Sequence, residues 1–426
     1  MLARSDSIVR GVLLALAATL GFGGCADRPA SSSPTEPSLK STTTDAVRFA
    51  TFNASLNRNA EGQLLTDLST PGNAQARTVA EIIQRNHPDV LLINEFDFVA
   101  GGEAARLFQE NYLAVSQNGA EPITYPYRFV APSNTGIPSG FDLDNDGTIG
   151  GGNDAFGFGA FPGQFGMAVY SRYPIDLAGV RTFQTFLWKD MPGALVPDDA
   201  ATPAPGDFYS PAELGILRLS SKSHWDLPLE IGGATVHFLV SHPTPPMFDG
   251  PEDRNGRRNF DEIRFWADYV QPDDGSYIYD DAGRAGGLAP SERFVIAGDM
   301  NSDPLDGDSY PGAAQQLLEH PLINSRFRPE SEGAVQQAQL QGGANLTHRG
   351  DPRFDTADFA DNTPGNLRAD YVLPSRGLQV LDGAVFWPLD SDPLFRLVGV
   401  FPFPSSDHRL VWVDLKVPGA TATASR

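Results

Sequence analysis

Short apolar runs recur along the chain, and most of them end in a polar group. Residues 47–52 alternate between apolar and polar positions and end at Asn53; residues 89–93 end at Asn94-Glu95. Residues 236–240 end at Ser241-His242, and residues 294–297 lead into Gly298-Asp299-Met300-Asn301. Asp370 opens the run Tyr371-Val372-Leu373, and Ser406-Asp407-His408 leads into residues 410–413. Apolar runs of this length, bounded by turn residues, predict buried strands. Residues 166–175 predict a further core strand and turn. Residues 77–84 have the character of a helix before His87-Pro88-Asp89, and Phe260, Ile263, Phe265, Trp266 and Tyr269 mark the apolar positions of another.

A polar group at a strand end sits on a rigid scaffold and faces solvent. One Asp or Asn there is ordinarily a turn residue. Six such groups together supply carboxylates, amides and imidazoles in a set that suits one chemistry. Carboxylate and amide oxygens bind a hard divalent cation. A carboxylate activates water, and an imidazolium stabilises charge developing on a phosphate. The remaining histidines fit less well. His87 precedes a proline and reads as a loop residue; His237 lies inside a strand and reads as structural; His224, His320 and His348 have no motif around them.

The series Asn53, Glu95, His242, Asp299-Met300-Asn301, Asp370-Tyr371-Val372 and Ser406-Asp407-His408 resembles the endonuclease/exonuclease/phosphatase superfamily. The resemblance runs from about Val47 to Val413, with Gly-Asp-Met-Asn and Ser-Asp-His as its strongest marks. It implies an α/β fold, a four-layer sandwich of two packed mixed β-sheets flanked by helices, DNase-like, with the site at one end. It also implies hydrolysis of phosphoester bonds with Mg²⁺ or Mn²⁺. Residue by residue, Glu95 would be the main metal carboxylate, with Asn53 beside it and Asp407 a second one. Asp299 would orient or deprotonate water, and Asn301 would hold a phosphate oxygen. His408 would donate to the phosphoryl group with Asp370 behind it, and His242 would be a second phosphate contact. The sequence has Ser241 and Asn94 where many members have other residues, and shows no clear counterpart of the glutamate that pairs with the histidine in some DNases, or of the tyrosine of abasic-site enzymes.

An insertion at about 131–165 carries its own signal. Asp142, Asp144 and Asp146 occupy alternate positions and Gly147 follows, as at the start of a calcium loop. Asn153 stands where a bidentate glutamate is usual, with Asp154 next, so a structural Ca²⁺ loop of non-EF-hand type is expected. The glycine- and aromatic-rich residues 156–165 fit either close backbone packing or a substrate-facing wall. Arg254, Arg257 and Arg258 cluster in an acidic chain, and guanidinium forks suit phosphate oxygens, so one of them is expected to reach substrate.

Bulk properties place the protein and narrow its substrate. Residues 1–24 read as an export signal: Arg4 and Arg10 precede a short apolar run that is too short to span a bilayer. The single cysteine, Cys25, follows Gly23-Gly24 and reads as a lipid-attachment residue. Residues 25–45, rich in Ser, Thr and Pro, read as a tether, residues 46–417 as one domain, and 418–426 as a tail. The expected setting is the bacterial cell envelope, as a lipoprotein, or secretion, with the chain a monomer. The net charge of −22 repels a polyanion. Small or lipid-like phosphate esters are therefore expected as substrates. A secreted nuclease is the alternative, because salt screens the field. A non-enzymatic surface binding protein fits less well, since every motif residue is retained.

Overall fold

In the computed structural model the described residues are 46–199 and 201–418. The expectations placed on residues 1–24, on the lipidated Cys25, on the tether and on all but the first residue of the tail lie outside them. Eight strands precede residue 300: β1 (Ala46–Leu56), β2 (Val90–Phe96), β3 (Tyr127–Phe129), β4 (Met167–Ser171), β5 (Arg181–Thr182), β6 (His224–Ile231), β7 (Ala234–Ser241) and β8 (Arg293–Asp299). Five follow: β9 (Ala357–Asp358), β10 (Asn366–Leu367), β11 (Asp370–Pro374), β12 (Gln379–Val385) and β13 (Val411–Lys416).

They form two large mixed sheets, ordered β12-β13-β1-β2-β4-β3 and β11-β8-β7-β6-β5, with β9 and β10 as a separate pair. Only β1–β2 and β7–β8 run parallel. Alternation along each strand sends neighbouring side chains to opposite faces. Phe49 of β1 therefore faces the second sheet and stacks near Phe238, with ring centroids 5.6 Å apart. Ala50 and Phe52 face the other way, toward the Ala74–Asn86 helix. The second sheet does the same: Phe238 and Val295 point between the sheets, and Leu239 and Ile296 pack on the Arg254–Val270 helix. The result is the expected helix–sheet–sheet–helix sandwich. Strands covered on both faces read as continuous apolar runs, which is why they stand out in the sequence.

β6 is less legible because Pro228 sits inside it. β7 covers that residue on one side, pairing His237 with Pro228. On the other side β5 is only two residues long and pairs with Trp225 and Asp226. Beyond β5, Ile175 bridges Leu229 and the Asp176 amide donates to the Pro228 carbonyl, while the Asp176 carbonyl accepts from the Gly179 and Val180 amides and so does not need the missing N–H of Pro228. Among the described residues no helix is long and apolar enough to cross a membrane.

The insertion 131–165 lies between β3 and β4, held by isolated bridges such as Thr135 with Gly157. A Cβ on Gly157 would lie 1.8 Å from the Ser221 carbonyl oxygen, and one on Gly136 would lie 1.9 Å from that of Phe161. Close backbone packing accounts for the glycines of 156–165, and none of residues 156–165 lines the cleft described below.

Candidate active site

Strand direction gathers the site. β1 and β2 are parallel, so their C-terminal ends deliver Asn53 and Glu95 to one edge. β7 and β8 are parallel in the other sheet and deliver His242 and Asp299. β11 and β13 run antiparallel to β8 and β1, so their beginnings reach the same edge. Asp370 is the register partner of Asp299, and Asp407-His408 stand before β13. Glu95 is held in the left-handed region at φ 57°, beside a register shift between β1 and β2. Asn301 is left-handed too, at φ 51°. Non-glycine residues held there cost energy and cluster at functional sites.

Asp299 is the hub. Its Oδ2 accepts a hydrogen bond from Asn53 Nδ2 at 3.0 Å, and His242 Nε2 and His408 Nε2 stand 3.4 Å and 3.6 Å away. Its Oδ1 accepts from the Asn301 amide at 2.9 Å, and its own amide donates to Asn94 Oδ1 at 3.3 Å. Behind His408, Nδ1 donates to Asp370 Oδ2 at 2.8 Å, and Thr356 Oγ1 donates to the same oxygen at 2.8 Å. This arrangement fixes the imidazole so that Nε2 faces Asp299.

The charges follow from these contacts. Burial opposes the charge of His408, but Asp370 and Asp299 outweigh it and hold the imidazole pKa well above its ordinary value. Asp299 is also penalised by burial, yet His408, His242 and Asn53 depress its carboxyl far below the usual carboxylate range. His242 goes the other way. Burial, then the charge of Lys222, push it down to about 4, so it is neutral at working pH. Its Nδ1 is buried without a partner. Glu95 is pushed up to about 7 by burial and by the nearby Asp407, with Asn53 and His408 opposing.

Three sets of donor side chains come together. Asp299, Asp370 and His408 offer ligand atoms within 4.8 Å of one another, but they already neutralise one another as a carboxylate–imidazolium–carboxylate chain. Glu95 and Asp407 repel each other, and a divalent cation relieves that. Their oxygens, with that of Asn53, are the hard ligands Mg²⁺ and Mn²⁺ take. Asp142, Asp144 and Asp146 form the other acidic group. Asp142 accepts from the amides of Asp146 and Gly147, and Asp154 closes the loop by accepting from Leu143 N and Gly150 N at 2.6 Å each.

A cleft of about 400 Å³ opens over Glu95, Asp299, Asn301, Asp407 and His408. Pro245, Pro246, Met247, Phe248, Phe359, Pro364 and Leu367 form its apolar walls, and no Lys or Arg lines it. The three arginines singled out in the sequence are therefore not brought to the cleft surface. Arg254 pairs with Glu252, and Arg257 lies over the Tyr310 ring at 5.6 Å. Arg258 donates to the carbonyls of Leu219, Phe156 and Arg218, fastening the insertion to the core. Guanidinium donors go to such buried carbonyls when folding leaves them unpaired. No motif or spacing in the sequence singles out Asn259 and Glu262. Asn259 Nδ2 donates to the carbonyls of Thr244 and Met300. Glu262 accepts from Ser221 N and Thr244 N. Both tie the His242 and Asn301 segments to the Arg254–Val270 helix. The histidine outside the motifs that is most deeply placed, His224, is a core residue bonded to Ser220 Oγ and the Glu262 carbonyl.

This is a DNase-like fold, with carboxylate, amide and imidazole side chains gathered at one edge of its two sheets. The sequence profile of the Endonuclease/Exonuclease/phosphatase family matches residues 50–408, and the chain belongs to this family. A search of curated proteins found no match. Among solved structures, it is similar to an endonuclease/exonuclease/phosphatase from Beutenbergia cavernae DSM 12333, at 19% identity over 89% of this chain and 73% of that one, with a TM-score of 0.46. It is also similar to sphingomyelinase C from Streptomyces griseocarneus, at 13% identity over 87% and 99%, with a TM-score of 0.42. A mannosyl-6-phosphatase from Bacteroides thetaiotaomicron VPI-5482 is similar at 12% identity over 87% and 99%, with a TM-score of 0.41.

Proposed function

We propose that this chain is an exported, divalent-metal-dependent hydrolase of small or lipid-like phosphate esters. The observation that carries this is the meeting of Asn53, His242 and His408 on one oxygen of Asp299, at the floor of a cleft with apolar walls and no Lys or Arg in its lining. Asp299, kept ionised by its neighbours, accepts a hydrogen bond from the attacking water and aims its lone pair at phosphorus. His408, kept protonated by Asp370, donates to a phosphoryl oxygen as charge gathers there. Asn301 positions the phosphate, and His242 contacts it as a neutral imidazole. Glu95, Asn53 and Asp407 would hold the Mg²⁺ or Mn²⁺, which when bound supplies Lewis-acid stabilisation of the phosphoryl charge.

The substrate class rests on two supports. The apolar walls favour an ester with a hydrophobic group beside the phosphate. The acidic lining, together with the net charge of −22, disfavours a long polyanion such as DNA. Asp142, Asp144 and Asp146 are proposed to bind a structural Ca²⁺. The leader and Cys25 support export and a lipid anchor rather than a transmembrane helix.

The test is an assay of the purified protein with Mg²⁺, Mn²⁺ and Ca²⁺ in parallel on p-nitrophenyl phosphate, bis-p-nitrophenyl phosphate and plasmid DNA. Turnover of a small ester, abolished in Asp299→Ala, is expected. Nicking of DNA without turnover of either small ester overturns the substrate class and makes the protein a nuclease.

A further inference from the structure

Lys222 stands just before β6, is 6% exposed, and forms no ion pair among the described residues. Its Nζ has one hydrogen bond, a long one of 3.5 Å to the carbonyl oxygen of Pro243, the residue after His242. An ammonium has three donors, and a buried charge without partners is costly unless something compensates it. The same Pro243 oxygen accepts from Asn301 Nδ2 at 3.2 Å. Lys222 and Asn301 therefore converge on one atom, close enough for a single phosphate to touch both.

The segment is built to hold the lysine there. Glu262 accepts from Ser221 N and Thr244 N at 2.6 Å each, clamping the segment that carries Lys222 to the one that follows His242. The Lys222 carbonyl accepts from Asn134 N, and the Gly157 backbone packs against Ser221, leaving no slack. Ser221 Oγ, His242 Nδ1 and Thr244 Oγ1 are all buried without partners in the same region. Buried polar atoms in native proteins are rarely left unpaired, so this concentration points to a polar guest. Burial lowers the Lys222 pKa below its ordinary value, and the negative charges of Glu262, Asp299 and Glu95 oppose that shift.

We propose that Lys222 is a phosphate-binding residue of this site. Its ammonium donates to a non-bridging phosphoryl oxygen on the side of the cleft formed by His242 and Asn301, across from His408. Lysine serves phosphate in this way, as a point charge. The inference rests on the phosphoesterase reading above and adds a second cation to the one His408 supplies.

The experiment compares wild type, Lys222→Met and Lys222→Arg as purified full-length protein. Three readouts are taken: calorimetric binding of inorganic phosphate with Mg²⁺ present, kcat on bis-p-nitrophenyl phosphate, and melting temperature. Lys222→Met is expected to weaken phosphate binding at least tenfold and to lower kcat about 10²-fold, with a melting temperature equal to or above that of wild type because a buried unpaired charge is gone. Lys222→Arg is expected to keep phosphate binding within about tenfold of wild type, since it keeps the charge. Unchanged phosphate binding and kcat in Lys222→Met overturn the proposal while leaving the phosphoesterase reading intact. Losses that come with a lowered melting temperature in both variants overturn it in favour of a structural lysine. A wild type that neither turns over ester nor binds phosphate overturns both readings.

Discussion

Asp299 Oδ2 lies 3.6 Å from His408 Nε2, although Asp299 ends β8 of one sheet and His408 stands just before β13 of the other. The sandwich has only one edge at which such a pair meets. It is the edge where the parallel strands of each sheet end and the antiparallel strands beside them begin. One oxygen of Asp299 thus reports the packing of the whole domain, because a shift of either sheet changes this distance.

His408→Ala should lower kcat by about 10²-fold or more, and Asp370→Asn should lower it less while shifting the pH profile. With Asp370 neutralised, the imidazole loses its largest stabilising partner and its pKa falls. Activity that depends on the protonated ring is then lost at a lower pH than in wild type. Steady-state kinetics across pH decide this, and an Asp370→Asn profile superimposable on wild type removes Asp370 from that role.

Metal activation should depend on pH through Glu95. Burial and Asp407 raise this carboxyl from 4.5 to about 7 in the metal-free protein. A raised folded-state pKa means the protonated form is favoured by folding. Its contribution to stability is full below about 4.5 and is lost as pH rises through about 7. Metal needs the carboxylate, so apparent affinity for Mg²⁺ or Mn²⁺ should rise about tenfold per unit up to about pH 7 and level off above it. Activation curves at fixed pH values measure this. A pH-independent activation constant would remove Glu95 from the ligand set.

Gly298 should not tolerate a side chain. A Cβ there would lie 2.1 Å from the carbonyl oxygen of Ser241, at a backbone φ of 155°. Gly298→Ala must push β8 from β7 where they carry Asp299 and His242. We expect about 1–3 kcal/mol of destabilisation and roughly a 10²-fold fall in kcat from misplacement. Denaturant unfolding and kinetics test it together; a variant with wild-type kcat shows that the Asp299–His242 spacing is not critical.

Chelation should lower the melting temperature, and Ca²⁺ alone should restore it without restoring turnover, because Asp142, Asp144 and Asp146 lie in the 131–165 insertion rather than among the cleft residues. The double variant Asp142→Asn/Asp144→Asn should lose the Ca²⁺ response while keeping Mg²⁺-dependent activity. A melting temperature in wild type that ignores Ca²⁺ rules out a structural calcium site in this loop.

The strands that carry the candidate site were visible in the sequence for a physical reason. Strands buried on both faces are largely apolar, so the polar residues that end them, Asn53, Glu95, His242 and Asp299 among them, are conspicuous. What those residues do with one another was not visible. The helix at 254–270 was legible from its apolar spacing, yet its arginines were not: Arg258 answers to carbonyls of Leu219, Phe156 and Arg218, segments that only the folded chain brings near it. Asn259 and Glu262 on the same helix read as ordinary surface polar residues until the fold turns them toward the site.

The sequence by itself marked the central strands β1, β2, β4, β7, β8, β11 and β13 and the polar residues at their ends, and the resemblance of those motif residues to a known family implied the class of chemistry. The strands follow from local rules of burial and periodicity that each segment obeys alone. Tertiary structure decided the protonation states and the cleft. Asp299 is ionised because His408, His242 and Asn53 are brought to it, and His242 is neutral because of burial and then the charge of Lys222. The cleft is apolar because the loops after β7 and β9 meet over Asp299. Both are properties of distance in space, which no spacing along the chain encodes.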